Sequence, residues 1–212
     1  DFQQSSLGAT YGNTVRRYNL MNKLLKGLEE NPFGRRHIID MWQEQQMIDD
    51  PKALVPCAYS TLWSVREEDV VQKYADIANK EAGFNLATVI KSVNIRYIDL
   101  TLIQRSQDYL SVSSINPVQY VMLGMTVCNH LTFKTGVKHE IGKFLHVVQN
   151  CHLYEKHINI AKELLERSGT GNQPKIELIC EPKDFYSHTW EDFKVTGLEG
   201  IEKLNSKIEI AV

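Results

Sequence analysis

The segment 95–116, IRYIDLTLIQRSQDYLSVSSIN, decides how the rest of the chain is interpreted. It begins with IRYIDLTLI, which alternates apolar and other side chains with the period of two that is typical of a β-strand. Polar residues follow at 104–116, and the next stretch, PVQYVMLGMTVCNHL, reads as a helix. A strand that gives way to a helix brings polar groups together at the edge of a sheet. We therefore predict a ligand site at this junction.

Both helices and strands are predicted upstream of this segment. Apolar residues at helical spacing predict one helix over 14–30, which the turn NPFG (31–34) ends. Strands are predicted at 37–42 and 57–65. Residues 67–93 are interpreted as a mostly helical insertion.

Downstream, Asn116 and Pro117 predict a helix start with Asn116 as the N-cap, and the helix runs to about Leu131. A second helix is predicted at 157–169, ending at a glycine, and the tail segments KIELIC, DFKVTGL and KIEIAV predict short strands. Strands outnumber the βαβ units that a doubly wound fold needs. The predicted fold class is therefore α+β, a β-sheet with helices packed on one side, in a single domain over 1–212.

Composition limits the classes of function. The chain has 212 residues, 42% hydrophobic and 24% charged, as expected of a globular protein with a substantial core. A formal charge of −2 gives no general basic field, which favours a small anion bound by local arginines over nucleic acid. No apolar run approaches the ~18 residues of a membrane span, and the first residues lack the pattern of a signal peptide. Four cysteines without CxxC spacing favour a reducing compartment. We expect a soluble, cytoplasmic protein.

Three groups of residues could carry chemistry. Cys57 is either a small buried residue or a nucleophile, whose thiolate an arginine such as Arg105 could stabilise. Arg105 and Ser106 combine a guanidinium fork with a hydroxyl, a pair suited to a phosphate, although a surface salt bridge gives the same pattern. Arg35 and Arg36 form a second cationic pair, whose alternative is a solvated turn.

His152, Tyr154 and His157 lie close together in the segment QNCHLYEKH. If the segment is extended, His152 and Tyr154 share a face and could hydrogen-bond a hydroxylated ligand. No HExxH or equivalent spacing accompanies them, so we predict no metal site.

Taken together, the chain resembles the thymidylate synthase family, which includes the pyrimidine nucleotide hydroxymethylases. The matching blocks occur in the family's order: YGNTVRR (11–17), NPFGRRHI (31–38), ALVPCAYSTLW (53–63), QRSQD (104–108), NPVQY (116–120), CHLYEKH (151–157), KDFYSHTWEDFKV (183–195) and the terminal IEIAV. A PC dipeptide together with RSxD and an asparagine eight residues after the aspartate is more specific than any one block. The resemblance implies a thymidylate synthase-like α+β fold, whose mixed β-sheet is also the dimer-interface layer.

The resemblance also implies a reaction. Cys57 would add to C6 of a pyrimidine nucleotide and make C5 a nucleophile toward the one-carbon unit of 5,10-methylenetetrahydrofolate. Tyr11 would belong to the proton-transfer network around C5. Arg105 and Ser106 would hold the 5′-phosphate, with Arg105 also near the thiolate.

Substrate selection is implied in the same way. The amide of Asn116 would accept from N3–H and donate to O4, which is the pattern of uracil, whereas an aspartate there would suit cytosine. His152 and Tyr154 would bind the sugar 3′-hydroxyl. The favoured substrate is dUMP.

The folate and a second subunit are implied by other positions. Asp108 would bind the pterin, and the terminal Ala211 and Val212 would close over the cofactor. Arg35 and Arg36 would reach the phosphate in the partner subunit of an obligate homodimer.

Departures from the family pattern keep other functions open. The loop SVSSIN stands where the family usually has a sequence like GLPFN, and Gln149-Asn150 stands where GD is usual. A phosphate-binding arginine, a catalytic glutamate and a folate-stacking tryptophan of the family's N-terminal part find no match, so that part is expected to be missing. Hydroxymethylation of dUMP or dCMP, as in phage enzymes acting in a host cytoplasm, is the main alternative. A catalytically inactive interaction module, with 67–93 as its contact surface, and a cysteine hydrolase using Cys57 with His152 are further alternatives.

Overall fold

The computed structural model describes residues 11–49, 55–69, 94–167 and 173–200, with the single residues 169, 171, 204 and 208. The helices in this part of the chain are α1 (Tyr11–Arg17), α2 (Leu20–Glu30), α3 (Glu44–Asp49), α4 (Tyr109–Val112), α5 (Ile115–Thr135) and α6 (Ile158–Glu166). The strands are β1 (Ile38–Asp40), β2 (Ala58–Asp69), β3 (Asn94–Asp108), β4 (Lys138–His152), β5 (Lys175–Leu178) and β6 (Phe193–Thr196). None of these helices combines the length and apolar character that a membrane crossing requires.

Four strands form the main sheet in the order β1-β2-β3-β4. The first two pairings are antiparallel and the β3–β4 pairing is parallel, so the sheet is mixed as expected. Helix α5 connects β3 to β4, and Gly136, with a φ of 70°, ends it in the left-handed conformation that glycine adopts freely. Strands β5 and β6 form a separate antiparallel pair.

The two faces of the main sheet differ. Side chains of α2 and α5 pack on one face, and the core there includes Leu28, Leu100 and Leu131, each exposed by 1% or less. On the other face, Ile38, Leu62, Thr101 and Leu145 form a row across all four strands. Ile38, Leu62 and Leu145 are 51%, 39% and 57% exposed, so this row is open. The prediction of helices on one side of an α+β sheet is confirmed.

The single helix predicted over 14–30 is wrong in one respect. Asn19 adopts a left-handed backbone (φ 53°) between α1 and α2, and its side chain accepts a hydrogen bond from Asn22 Nδ2 at 2.7 Å. Asparagine tolerates this conformation better than most residues, which explains the break. The predicted apolar face survives, because Met21, Leu24, Leu25 and Leu28 are buried.

Two further boundaries differ from the prediction. Strand β2 runs to Asp69, so residues 67–69 belong to the sheet and not to a helical insertion; residues 70–93 lie outside the described part. The helix predicted at 157–169 spans Ile158–Glu166, and it ends before the glycine.

The predicted N-cap at Asn116 is wrong. Helix α5 begins at Ile115, after Ser114, so Asn116 lies inside its first turn. The Asn116 amide donates instead to Gln104 on β3, at 3.4 Å. The Asn116 side chain therefore makes a tertiary hydrogen bond to β3 and does not cap the helix.

Candidate active site

The site lies where the parallel strands β3 and β4 end side by side. In their register Ser106 pairs with Asn150 and Asp108 pairs with His152. Ala58, the first residue of β2, pairs with Gln104 and brings Cys57 to the same edge. Ligands of α/β structures bind at the carboxyl ends of parallel strands, and Cys57, Ser106, Asp108 and His152 converge at such an edge.

Cys57 is held from two sides through its backbone. Its N–H donates to the Tyr11 hydroxyl at 2.7 Å, and the N–H of Ala58 donates to the same oxygen at 3.2 Å. The Cys57 carbonyl accepts from the backbone N–H of Arg105 at 2.9 Å. The backbone of Cys57 is therefore held between Tyr11 and Arg105, and its thiol is half-buried.

The Arg105 side chain is anchored beside this cysteine. Its Nε donates to Pro56 O and one terminal nitrogen donates to Val55 O, both at 3.1 Å. A guanidinium has five N–H donors, so these contacts leave others for an anion. Arg105 is exposed, so the residue is accessible to a ligand.

Tyr11 lines a cavity of about 750 Å³ that also includes Asn116 and Tyr120. Burial raises the pKa of the Tyr11 hydroxyl, and burial next to Tyr11 raises the pKa of Tyr120 to about 12. Both phenols are therefore protonated at neutral pH. The Tyr11 hydroxyl can pass on a proton or donate a hydrogen bond while it accepts from the backbone.

Asp108 ends β3 with one carboxylate oxygen hydrogen-bonded and the other without a partner among the described residues. Its Oδ2 accepts from Ser111 Oγ at 2.5 Å, and His157 Nδ1 lies 3.9 Å away. Its Oδ1 is buried and has no hydrogen-bond partner within the described ranges. A buried acceptor without a partner is uncommon in folded proteins and makes Asp108 a candidate ligand contact.

His152 and Tyr154 share one side of the chain, as the extended interpretation predicted. Their rings meet edge to face with centroids 5.0 Å apart, and His152 Nδ1 lies 3.2 Å from Asn150 Oδ1. Tyr154 also meets His157 edge to face, at 6.0 Å. Tyr154 is 39% exposed, so a ligand can reach part of this residue.

Arg35 and Arg36 are not brought to the Cys57 edge. They precede β1, and the next residue, His37, accepts from Trp63 N at 2.9 Å. Trp63 is six residues from Cys57 along β2, a distance of about 20 Å at ~3.3 Å per residue. Ala211 and Val212 lie outside the described residues.

Two residues of the site were not predicted. The amide of Gln104 is 1% exposed and accepts from Asn116 and from His146 of β4, at 3.4 and 2.5 Å. Burial lowers the pKa of His146. The sequence does not predict this contact, because it depends on the register of β3 and β4.

A further cluster lies near β5 and β6. Cys180, His188 and Asp192 each place one potential metal-ligand atom within 4.8 Å of the others, in the part of the chain that is described. Lys183 Nζ lies 2.7 Å from Asp192 Oδ2 and already compensates the carboxylate charge. The sequence gives no sign of this group, because its members do not follow a helical metal-binding spacing such as HExxH.

Comparison with known proteins identifies the family. A family model described as thymidylate synthase matches residues 1–211. Thymidylate synthases of Lactococcus lactis subsp. cremoris and Streptococcus pneumoniae are 33% and 32% identical to the chain over 208 residues, or 98% of it. The chain spans 63% of the length of these relatives.

A solved structure gives the same result for the fold. The thermostable thymidylate synthase A from Bacillus subtilis matches 98% of this chain and 65% of its own, with a TM-score of 0.70 and 25% identity. The thymidylate synthase-like fold inferred from the motifs is confirmed. The chain belongs to the thymidylate synthase family.

Proposed function

We propose that this chain carries the catalytic site of an enzyme that methylates C5 of dUMP, using 5,10-methylenetetrahydrofolate. The observation that carries the proposal is the clamped position of Cys57 between the Tyr11 hydroxyl and Arg105, at the edge that also holds Ser106 and Asp108. Family membership supports the same reaction class.

Cys57 begins the reaction. Its thiolate adds to C6, and the electron pair of the C5–C6 double bond moves toward C4 and its oxygen, so that C5 becomes a nucleophile. The folate supplies the one-carbon unit and, for methylation, a hydride. Tyr11, within reach of the Cys57 backbone, belongs to the path by which the C5 proton leaves. Release of Cys57 from C6 restores the double bond.

Charged and polar residues hold the nucleotide. Arg105 and Ser106 bind the 5′-phosphate, which the free donors of the exposed guanidinium support. Asn116 reads the uracil edge from the first turn of α5, and His152 and Tyr154 bind the 3′-hydroxyl.

Asp108 binds the pterin of the folate. Its buried Oδ1, which has no hydrogen-bond partner among the described residues, fits the N–H donors of that ring. Ala211 and Val212 are proposed to close over the folate. The proposal needs no metal, and the four free cysteines are consistent with a reducing cytoplasm.

We propose a homodimer formed through the open face of the sheet. Ile38, Leu62 and Leu145 expose apolar surface in a row there, which Thr101 completes, and Arg35 lines a groove beside it together with Ile38 and Leu62. Arg35 and Arg36 already lie far from the Cys57 of their own subunit. A twofold pairing of this face would bring them to the partner's site. No nucleic acid or membrane is required as a partner.

Hydroxymethylation is the second candidate. Ser111, in the atypical segment SVSSI, places its hydroxyl against Asp108, where the folate is proposed to bind. A hydroxyl at this point can hold a water molecule close to the exocyclic methylene and favour its capture by water over hydride transfer.

The test is to incubate the full-length protein with 5,10-methylenetetrahydrofolate and dUMP labelled with tritium at C5. Tritium release with dTMP and dihydrofolate supports methylation, and 5-hydroxymethyl-dUMP with tetrahydrofolate supports the second candidate. No tritium release from dUMP contradicts both reactions on uracil. No turnover of dCMP or the ribonucleotides either would leave the inactive interaction module as the better interpretation.

A further inference from the structure

Gln104 occupies the centre of a buried chain of hydrogen bonds. Its side chain is 1% exposed, so both ends of its amide need partners inside the protein. Nε2 donates to the Ser106 carbonyl at 3.4 Å. Oε1 therefore faces the opposite way, toward Asn116 Nδ2 at 3.4 Å and His146 Nε2 at 2.5 Å.

Because Gln104 Oε1 is an acceptor, the atoms of Asn116 and His146 that face it must be donors. A carbonyl oxygen only accepts, so Asn116 must present its NH₂ group and His146 must carry its proton on Nε2. A neutral imidazole has one N–H, and burial keeps His146 neutral at neutral pH. The Nε2–H tautomer of His146 therefore holds the Gln104 carbonyl in place.

The orientation of Asn116 decides which base it can read. With Nδ2 anchored to Gln104, its Oδ1 is directed away from Gln104 and can accept from the N3–H of uracil. Cytosine has an acceptor at N3 and would need the flipped amide. That flip would place Asn116 Oδ1 against Gln104 Oε1, two acceptors in contact, unless Gln104 flipped as well. A flipped Gln104 would place its Oε1 against the Ser106 carbonyl, again two acceptors in contact, and would lose the hydrogen bond from His146 Nε2–H.

We infer that His146 is a positioning residue for base selection: through the buried Gln104 carbonyl it holds Asn116 in the orientation that accepts uracil and rejects cytosine. The inference rests on the proposed function, because it assigns the base-reading site of the same reaction. His146 itself does not touch the nucleotide in this scheme. Its effect is on the choice of base and not on the chemical step.

The experiment compares equilibrium binding of dUMP and dCMP to the full-length protein by dialysis with labelled nucleotides. His146→Leu removes the donor and is expected to lower the dUMP-to-dCMP affinity ratio about tenfold, as for the loss of one net hydrogen bond. His146→Gln retains a side-chain donor and is expected to restore most of the ratio. His139→Leu makes the same change on β4, seven residues or about 23 Å away, and is expected to leave the ratio unchanged.

The outcomes separate this inference from the proposed function. A ratio in His146→Leu within twofold of wild type, including equal weakening of both nucleotides, overturns the role of His146. A loss that His146→Gln does not restore, or that His139→Leu reproduces, also overturns it, because packing alone then explains the effect. Binding needs no turnover, so His146 can fail this test while wild-type tritium release still supports the proposed reaction. A wild-type protein that binds neither nucleotide contradicts both.

Discussion

At the scale of single residues, Cys57 combines a fixed backbone with a half-buried thiol. The hydrogen bonds to Tyr11 and Arg105 use its N–H and C=O and leave the sulfur for chemistry. We expect Cys57→Ser to keep this backbone arrangement and the phosphate-binding groups, because the change replaces only sulfur by oxygen. Turnover of dUMP should fall by at least about a thousandfold, since a neutral hydroxyl is a far weaker nucleophile than a thiolate.

The measurement for this prediction is tritium release, with nucleotide affinity determined on the same sample. Affinity should stay within about threefold of wild type, because the reacting bond contributes little to ground-state binding. Cys151→Ser, at an exposed cysteine on the same sheet, is the matched control and should retain activity. Retained turnover in Cys57→Ser would reject this residue as the nucleophile.

Asn116 gives a second prediction at this scale. Asn116→Asp replaces the NH₂ group by an oxygen, which cannot donate to O4 of uracil but can accept from the N4–H of cytosine; the contact with Gln104 is also lost. We expect the ratio of kcat/KM for dUMP over dCMP to fall by at least about a hundredfold, in line with sites built around a specific polar match. An unchanged ratio in the two-substrate assay would show that the base is read elsewhere.

At the scale of elements, the sequence does not predict β4 (Lys138–His152), and two features of the strand explain this. The strand has apolar residues on both faces, because Phe144 packs toward the core while Leu145 and Val147 lie on the open face. Its register to β3 also shifts between the pairs Ile98–Ile141 and Leu100–Phe144, where β4 has one residue more than β3. Both features remove the period of two, whereas β3, whose residues 98–102 alternate apolar and polar, was predicted from its alternation.

The site residues divide in the same way. Cys57, Arg105 and Asp108 were found because they stand in short local motifs, and the structure brings them to one sheet edge. Gln104 and His146 were not predicted because their contact depends on the alignment of two strands separated by α5. The N-cap role of Asn116 was predicted from local rules, and a contact across the fold overrode them.

The β4 irregularity leads to a stability prediction. The Asp99 carboxylate fills the space beside Gly142, accepting from Lys143 N at 2.6 Å and from Arg66 Nε at 3.3 Å. A Cβ at residue 142 would collide with Asp99 Oδ1. We expect Gly142→Ala to displace this carboxylate and lower the free energy of unfolding by about 1–3 kcal/mol, as overpacking does.

Urea denaturation followed by circular dichroism measures the effect. Gly169→Ala is the matched control, because its added Cβ meets nothing within 4 Å, and its free energy of unfolding should stay within about 0.5 kcal/mol of wild type. Equal stability of Gly142→Ala and wild type would contradict the tight packing at Asp99.

The segment that carries β6 gives a pH prediction. The ammonium of Lys183, together with the N–H of Thr189, lowers the pKa of Asp192 from 3.8 to about 2. A carboxyl with a lowered folded-state pKa adds stability above its unfolded pKa and loses it as the pH falls through the folded one. We therefore expect this contribution to be complete above pH 3.8 and to disappear between pH 3.8 and about 2.

Lys183→Met should make the free energy of unfolding less dependent on pH in that window, because the pKa of Asp192 then moves back toward its ordinary value. Lys194→Met removes an exposed lysine of β6 and is the matched control, which should follow the wild-type curve. Urea titrations at several pH values compare the three proteins. Parallel curves for Lys183→Met and wild type would show that the ion pair does not set the pKa.

At the scale of the whole molecule, the two faces of the sheet separate folding from assembly. One face is filled by α2 and α5, and the other exposes Ile38, Leu62 and Leu145 in a single row. The arginine pair lies at the end of this open face, about 20 Å along β2 from Cys57. Arg35 and Arg36 are too far away to serve the site of their own subunit. If a second copy covers the row, they can serve the site of that copy.

Mixing two inactive proteins tests this arrangement. In the proposed dimer, each site takes its cysteine from one subunit and Arg35 and Arg36 from the other. A dimer of a Cys57→Ser subunit with an Arg35→Ala/Arg36→Ala subunit therefore has one site with both changes and one site with neither. Random reassortment gives half mixed dimers, so the mixture should regain up to about a quarter of wild-type turnover, measured as tritium release per total site. Mixing Cys57→Ser with a Cys57→Ser/Arg35→Ala/Arg36→Ala protein provides the control and should stay inactive. If the arginines served their own subunit, every site in the mixed dimer would carry a defect, and turnover would not rise above that of the separate proteins.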